Sequence, residues 1–203
     1  KDFSVGAKET VRFDGGAKTN NYLNVVTGQS TSQIAGKIQG GNDVYIVNPH
    51  GVMFGKGAQV DVGNLYVSTE NTADAVNAFA TNSKTGADVI KAGTANADVV
   101  NLGTLQAAEV QVSGKNIRFL DSAKVLDAGG AVNKKVTLDG TGYIHVGNSG
   151  GTDAGYTAGG TTKSIDYYQL VNDATDLQNV ATNGLSKNYM LSDNINASSI
   201  SNF

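Results

Sequence analysis

The amino-acid sequence predicts an all-β fold, a right-handed parallel β-helix with short elements outside the coil. Residues 44–62 contain three apolar, strand-like runs separated by turns that are too short to hold a crossover helix. Similar runs recur along the chain, and aligning Leu105 with Val125 gives a period of about 20 residues, which is typical of solenoids. The 26 glycines and the single proline indicate many tight turns. Short strands joined by tight corners fit the successive sides of one coil.

The central run, residues 44–47, is continuously apolar and therefore predicts a strand that is covered on both faces. A corner follows, formed by Asn48, Pro49, His50 and Gly51. Pro49 fixes its own φ and favours an extended conformation at Asn48, whose side chain can bond nearby backbone, and Gly51 tolerates a positive φ. Residues 58–62 then alternate between inward and outward positions.

Short strands are also expected on both sides of this stretch. Residues 3–5, 10–13 and 32–38 read as strands, and residues 20–28 change from polar to apolar. Residues 71–80 fit either a short helix or an excursion from the coil. Regular strands are expected to resume at residues 88–90 and to continue over 99–107, 110–112, 116–120, 124–129, 136–140 and 143–146.

The alternation along these strands predicts which side chains fill the interior of the coil, because successive residues of a strand point to opposite faces. The predicted core consists of Ile46, Val52, Phe54, Val60, Leu105, Val112, Ile117, Phe119, Val125, Leu138 and Ile144.

The C-terminal part of the chain changes character. Residues 147–162 are rich in Gly, Thr and Ala and lack apolar periodicity, which indicates a loop. Residues 167–171 and 188–191 read as strands. Between them, residues 173–181 predict one short α-helix, with Asp173 as its N-cap and Gly184 as its stop signal.

Four segments together resemble a known family. They are residues 21–28, which include Asn21, Leu23 and Asn24, then residues 32–36, 44–57 and 65–69, in that order and spacing. This arrangement is similar to the amino-terminal domain of two-partner secretion exoproteins of the filamentous haemagglutinin and high-molecular-weight adhesin type.

The signature turn of that family is Asn-Pro-Asn-Gly, and here His50 replaces its second Asn. Because Asn and His both tolerate left-handed backbone, the departure is mild, although a cap from that Asn side chain would be lost or altered. A second motif of one branch, Asn-Pro-Asn-Leu, is absent, which places the chain nearer the adhesin branch.

The resemblance implies a function. The chain is expected to be the secretion (TPS) domain of a bacterial exoprotein, an adhesin, that reaches the cell surface or medium through the periplasm. The implied partner is an outer-membrane β-barrel transporter with POTRA domains, and the domain would template β-helix folding outside the cell. The residues implied in secretion or in the structural motif are Asn21, Leu23, Asn24, Asn48, Pro49, His50 and Gly51. No cofactor is expected.

The resemblance also suggests how the chain is divided. Residues 1–146 are expected to form the secretion β-helix domain, 147–165 a loop or linker, and 166–203 the start of a further β-helical segment. The strands that usually precede residue 3 in the family are missing. We therefore expect the chain to start inside the domain with an incomplete capping end, and the natural chain to continue past Phe203.

Composition argues against several other functions. The net charge is -3 and the only arginines are Arg12 and Arg118, whereas a surface that follows nucleic-acid phosphates needs clustered basic residues. There is no cysteine for disulfides, thiol chemistry or Cys-based metal sites. His50 and His145 lack acidic or His neighbours at ligand spacing, so they are expected to be a turn residue and an outward strand residue.

Two further functions compete with secretion. One is adhesion or assembly by the β-helix itself, through its faces, through a host-cell or surface receptor, or by end-to-end self-association. The other is a carbohydrate-active enzyme, with Asp98, Asp121, Asp127 and Asp139 along a groove. Corner positions that solubilise the coil explain these aspartates more simply.

Two other motifs have structural interpretations. Residues 147–151 match the Gly-x-Ser-x-Gly pattern of a nucleophile elbow, but no His lies downstream, so a glycine-rich loop is expected. Four asparagines, at positions 24, 48, 64 and 101, could form hydrogen-bonded ladders at corners.

Overall fold

The structure is a computed structural model that describes residues 1–14, 21–81, 89–120, 123–148, 151, 153–162, 164–192 and 194–198. Most of its regular structure is short β-strand. The strands are β1 (Thr10–Arg12), β2 (Asn21–Val25), β3 (Ser32–Ile34), β4 (Lys37–Gln39), β5 (Asp43–Val47), β6 (Val52–Phe54), β7 (Gln59–Asp61), β8 (Leu65–Ser68), β9 (Val99–Asn101), β10 (Thr104–Gln106), β11 (Val110–Gly114), β12 (Ile117–Phe119), β13 (Lys124–Leu126), β14 (Val136–Gly140), β15 (Ile144–Asn148), β16 (Thr157–Ala158), β17 (Asp166–Val171) and β18 (Tyr189–Leu191). The helices are α1 (Thr72–Thr81), α2 (Ala174–Asn183) and a short 3-10 helix (Ala92–Thr94).

The strands stack into three sheets. Sheet 1 has the order β1-β4-β7-β10-β13, sheet 2 has β2-β5-β8-β11-β14-β16, and sheet 3 has β3-β6-β9-β12-β15-β17-β18. From β1 to β15, successive strands enter sheets 1, 2 and 3 in turn, and the pairings between these named strands are all parallel. This arrangement confirms the predicted parallel β-helix. The predicted repeat is confirmed as well, because Leu105 lies in register with Val125.

The interior of the coil is a continuous column of apolar side chains. All eleven residues predicted to point inward are buried in one cluster, with exposed fractions of 5% or less. Parallel strands that alternate inward and outward residues place each inward side chain on the one below it. In this way Ile38, Val60, Leu105 and Val125 stack along sheet 1. The coil is therefore stabilised mainly by burial of stacked apolar residues.

Strand β5 is covered on its outer face too, as the apolar run predicted. The outer layer is a second cluster of Tyr45, Tyr66, Val89 and Ile90, with Leu23 and Phe79 packed against it. The Tyr45 and Tyr66 rings stack at 4.5 Å, and Phe79 of α1 meets Tyr45 edge-on at 5.3 Å. Two alternatives were open for residues 71–80, a short helix or an excursion from the coil, and both descriptions hold. The segment forms α1, and α1 lies outside the coil between β8 and β9. The prediction of a coil strand at 88–90 is wrong, because Val89 and Ile90 belong to this outer layer.

Some predicted strands break at corners. Residues 32–38 form β3 and β4 rather than one strand: the chain bends at Gly36, where the carbonyl oxygens of Gly6 and Glu9 approach so closely that a Cβ would collide with them. Residues 99–107 similarly divide into β9 and β10. Residues 3–5 form a single bridge, Val5 to Ile34, rather than a strand.

Beyond β15 the chain continues along sheets 2 and 3. Strand β16 pairs with β14, β17 pairs with β15, and β18 pairs with β17. The predicted C-terminal helix is confirmed as α2: the Asp173 side chain accepts a hydrogen bond from the Asp176 N–H at 2.8 Å, and Gly184 ends the helix with a φ of 106°. In the described part of the chain, no helix combines the length and apolarity needed to cross a bilayer.

Candidate functional site: the Asn48–Gly51 turn and strand β2

The turn after β5 is organised by the Asn48 side chain, which is fully buried. Its Nδ2 donates to the Ser30 carbonyl oxygen and to Ser32 Oγ, both at 2.9 Å, and its Oδ1 accepts from the His50 N–H at 2.9 Å. These bonds tie the turn to the segment that enters β3. Because a buried amide without partners is costly, the three contacts explain why an amide fits at this position.

Backbone conformation and backbone hydrogen bonds form the rest of the turn. Gly51 has a φ of 103°, and its N–H donates to the Asn48 carbonyl oxygen at 3.0 Å to close the turn. A Cβ at Gly51 would lie 3.0 Å from the Asp98 carbonyl oxygen. His50 is exposed, and its carbonyl oxygen accepts from Thr31 Oγ1 at 2.7 Å. In this chain the side-chain cap of the turn therefore comes from Asn48, and His50 contributes backbone groups.

The other motif residues lie on the neighbouring strand β2. Asn24 is in register with Ile46, and its Nδ2 donates to the Tyr45 carbonyl oxygen at 3.0 Å. Leu23 packs against the outer cluster, and Asn21 is in register with Asp43. The structure thus places the two motifs on adjacent strands of sheet 2, with Asn24 bonded to β5 just before the turn.

The predicted asparagine ladder is wrong. The in-register neighbours of Asn24 and Asn101 are Ile46 and Phe54, not asparagines. Asn101 Oδ1 accepts from the Gly103 N–H at 3.0 Å, which repeats the local pattern seen at Asn48. Asn64 Nδ2 donates to Asp43 Oδ1 at 2.9 Å. Asn48 and Asn101 therefore cap their own corners, whereas Asn24 and Asn64 each bond a group on the neighbouring strand β5.

The aspartates considered for catalysis have separate structural contacts. Asp98 accepts from Asn116 at 2.9 Å and lies 3.4 Å from Arg118. Asp127 accepts backbone N–H groups in the turn after β13, and Asp139 accepts from the Thr161 backbone N–H at 3.0 Å. Asp121 lies outside the described residues, as do two residues of the Gly-x-Ser-x-Gly motif. Each described aspartate therefore makes its own structural contacts, Asp98 just before β9, Asp127 just after β13 and Asp139 within β14.

His145 faces outward on β15, as predicted, within an aromatic group. Its ring stacks on Tyr143 at 4.2 Å, and its Nε2 lies 3.3 Å from the Tyr168 hydroxyl. Burial lowers the pKa of the imidazole, and the nearby Asp166 carboxylate opposes that effect. Among the described residues, no three His, Asp or Glu side chains are grouped so that they could hold a metal ion.

One buried acidic residue was missed by sequence analysis. Glu70 follows β8 and is only 2% exposed, at the point where the chain leaves the coil toward α1. Its N–H donates to Ser68 Oγ at 3.1 Å, and its Oε1 accepts from the Lys91 N–H at 3.3 Å. Burial raises the pKa of this carboxyl to about 7. A cavity of about 340 Å³ lies beside it, lined by Asp74 and Lys91 among others. The position of Glu70 three residues after the end of the apolar run 65–67 was the available signal.

Comparison with known proteins identifies the family. The family model described as TPS secretion domain matches residues 1–203, the whole chain. A heme/hemopexin-binding protein of Haemophilus influenzae strain Rd is 31% identical over 134 residues, which are 63% of this chain and 14% of that protein. A second heme/hemopexin-binding protein of Haemophilus influenzae is 35% identical over 71 residues, 35% of this chain and 8% of that protein. The chain thus spans only a small part of the length of these relatives.

The fold, the ordered motifs and the family match agree with one another. The chain belongs to the TPS secretion domain family, the non-catalytic secretion module of two-partner secreted exoproteins.

Proposed function

We propose that this domain is recognised as an unfolded segment by an outer-membrane β-barrel transporter with POTRA domains, and that it then folds outside the cell as the template for a longer β-helix. The observation that carries the proposal is the burial of Asn48, which is 0% exposed in the folded domain. A receptor can contact this side chain only before the coil closes around it. Recognition of the motif and folding of the coil are therefore successive events.

The unfolded segment can bind the transporter by strand addition. An extended chain can add as a strand to the exposed sheet edge of a receptor, where main-chain hydrogen bonds supply affinity and side chains supply specificity. We assign the side chains of Asn21, Leu23, Asn24, Asn48, Pro49 and His50 to recognition, whereas Gly51 is assigned to the corner of the folded turn. Leu23 and Asn24 are partly exposed even in the folded state.

We assign the exoprotein to the cell surface or the medium, reached through the periplasm, and propose that it is an adhesin with a host-cell or surface receptor. The relatives are named for binding heme and hemopexin, so binding of heme or hemopexin by the exoprotein is an alternative role. Strands β17 and β18, which extend sheet 3, support residues 166–203 as the start of a further β-helical segment after a 1–146 domain and a 147–165 connection.

The test separates recognition from folding in three variants, Asn24→Ala, Asn48→Ala and Gly51→Val. For each variant, the free energy of unfolding of the purified domain and the affinity of the unfolded segment for isolated POTRA domains are measured. We expect Gly51→Val to lower stability while binding is kept, because a corner conformation matters little to an unfolded chain. At least one Asn variant should lose more binding than its stability change explains. If all three bind normally, the motif is structural and the transporter reads other residues.

A further inference from the structure

A polar cavity with one aromatic wall lies beside the start of β15. This cavity, here called the β15 cavity, has a volume of about 320 Å³ and lies between the corner that precedes β15 and the segment that leads into β17. Its volume is at the lower end of the range for small-molecule sites, about 300 to 1,000 Å³. The lining includes one aromatic residue, one acidic residue and three residues with hydroxyl groups, which are Tyr143, Asp166, Thr141, Thr161 and Ser164.

The corner that carries Tyr143 is fixed by the preceding corner of the coil. The Gly142 N–H donates to the Lys115 carbonyl oxygen at 2.7 Å, and the Tyr143 N–H donates to Asn116 Oδ1 at 3.2 Å. A Cβ at Gly142 would collide with the same Asn116 oxygen, so the two corners pack closely. The backbone that bears the Tyr143 ring is therefore held in place by the coil itself.

The opposite wall of the β15 cavity is anchored as well. The Thr161 N–H donates to Asp139 Oδ1 at 3.0 Å, and the Thr161 hydroxyl donates to the same oxygen. Asp166 is the first residue of β17 and lies in register with His145 of β15. Because both walls are bonded to the coil, the cavity is pre-formed, as small-molecule sites usually are.

The Tyr143 ring forms an aromatic platform at the β15 cavity. It stacks on the His145 ring at 4.2 Å with an interplanar angle of 24°, and Tyr168 also contacts the His145 ring, at 4.8 Å. Tyr143 is nevertheless 38% exposed. One face of its ring is therefore supported by His145, while the other is accessible. The face of an aromatic ring carries partial negative charge, so it attracts C–H groups, which carry partial positive charge.

Hydrogen-bonding groups surround this platform. The Asp166 side chain is 50% exposed and lies 3.8 Å from His145 Nε2. A carboxylate has about four lone-pair sites, so Asp166 can accept from further donors, and the hydroxyls of Thr141 and Ser164 can both donate and accept. None of the described residues that line the β15 cavity is basic. The cavity therefore suits hydroxyl groups better than a phosphate, a sulfate or a carboxylate.

We propose that the β15 cavity binds one unit of an uncharged sugar. A pyranose ring has a face of C–H groups, which matches Tyr143, and a rim of hydroxyl groups, which matches Asp166 and the hydroxyl-bearing residues. A quaternary ammonium ion is bound by cages of aromatic rings, whereas Tyr143 is the only aromatic residue among the described lining residues. The site belongs to the folded domain, so it is independent of transporter recognition.

The test uses the native folded chain and the methyl glycosides of glucose, galactose, mannose and N-acetylglucosamine as probes. Binding is detected by saturation-transfer difference NMR, and titration gives the Kd. We expect at least one probe to bind with a Kd on the order of 1 mM, as the usual affinity per atom gives for a ligand of this size. The largest saturation should fall on C–H groups of one ring face, because that face lies on Tyr143.

Two charged probes test the choice of ligand class. N-acetylneuraminic acid should bind more weakly than the neutral glycosides, because its carboxylate meets Asp166. Choline should also bind more weakly, because one ring does not form a cage. Tighter binding of either charged probe than of the neutral glycosides would overturn the proposal.

Substitutions locate the site, and circular dichroism verifies that each variant folds. Tyr143→Ala and Asp166→Ala should each weaken binding about tenfold, whereas Tyr143→Phe, which keeps the ring, should bind within about twofold of the native chain. Tyr168→Phe is a matched control, because Tyr168 contacts His145 without lining the β15 cavity, and it should bind as the native chain does. The proposal fails if no neutral probe binds at about 10 mM, or if folded Tyr143→Ala binds like the native chain. No transporter takes part, so the result leaves the secretion proposal untouched.

Discussion

Replacing the buried Glu70 by Gln should stabilise the domain at neutral and higher pH. Burial raises the pKa of this carboxyl from 4.5 to about 7, and the nearby Asp74 carboxylate adds to the effect, while the hydrogen bonds from Lys91 and Ser68 and the Lys91 charge oppose it. The pKa of Glu70 is higher in the folded than in the unfolded state, so protonated Glu70 favours the fold relative to ionised Glu70. This stabilising effect is complete below the pKa of the unfolded state. It is lost as pH rises through the folded value, so stability should fall between pH 4.5 and about 7.

The size of the effect follows from the pKa values. Each pKa unit corresponds to about 1.4 kcal/mol, so the ionised Glu70 costs about 3 kcal/mol above the folded pKa. Glu70→Gln keeps an oxygen that can accept from the Lys91 N–H but carries no charge. The difference in unfolding free energy between variant and native chain should therefore grow in favour of Gln by about 3 kcal/mol between about pH 4 and pH 8.

Urea unfolding of both chains at several pH values measures this difference. The contributions of the other titrating groups are shared by both chains and cancel in the comparison. The exposed Asp74 on α1 offers a matched control, since Asp74→Asn also removes one carboxylate near the same cavity. It should change the pH dependence by much less. A difference between Glu70→Gln and the native chain that stays constant with pH would refute the reasoning, because Glu70 would then be ionised in the fold without cost.

Three further substitutions test the coil, its corner and its helix by urea unfolding. Phe119→Ala should cost about 3 to 5 kcal/mol, since it leaves a cavity in a packed core; a loss below about 1 kcal/mol would contradict the inward position of Phe119. Gly51→Val should cost about 1 to 3 kcal/mol because of the positive φ. Gly41→Ala, at a glycine with no atom near its Cβ position, should cost less, and equal losses would argue against strain at Gly51. Asp173→Ala should cost about 1 kcal/mol through loss of the α2 cap, and an unchanged stability would show that the cap contributes little.

The coil could be predicted from sequence because its signal is local and repeated. Alternating apolar residues in short runs, such as residues 52–54 and 117–119, identify both the strand and the inward side chains. The same rule placed Val89 and Ile90 wrongly, since apolar residues can equally fill a layer outside the coil. That layer depends on contacts with Tyr45 and Tyr66, which are far away in the chain.

The corners and edges were harder to predict for a related reason. At Gly36 the carbonyl groups of residues 6 and 9 approach too closely for a Cβ, and the hairpin over residues 127–133 is held by backbone bonds between residues 125–127 and 131–133. Gly36 and the residues Asp127, Gly129 and Gly130 indicate turns, but they do not indicate which distant groups those turns meet. At the Asn48 turn, by contrast, Asn, Pro and Gly each have a distinct backbone preference, so the corner was predictable although the partners Ser30 and Ser32 were not.

The most direct test of the central claim compares folded and unfolded chain as ligands for isolated POTRA domains of the partner transporter. The native chain serves as the folded ligand, and a chain with a destabilising substitution such as Phe119→Ala serves as the unfolded ligand in mild urea. Binding of both is measured by calorimetry at the same urea concentration. Because Asn48 is completely buried in the fold, we predict that the unfolded chain binds, that Asn48→Ala weakens this binding, and that the folded chain does not compete. Binding of the folded chain with equal affinity would contradict recognition before folding.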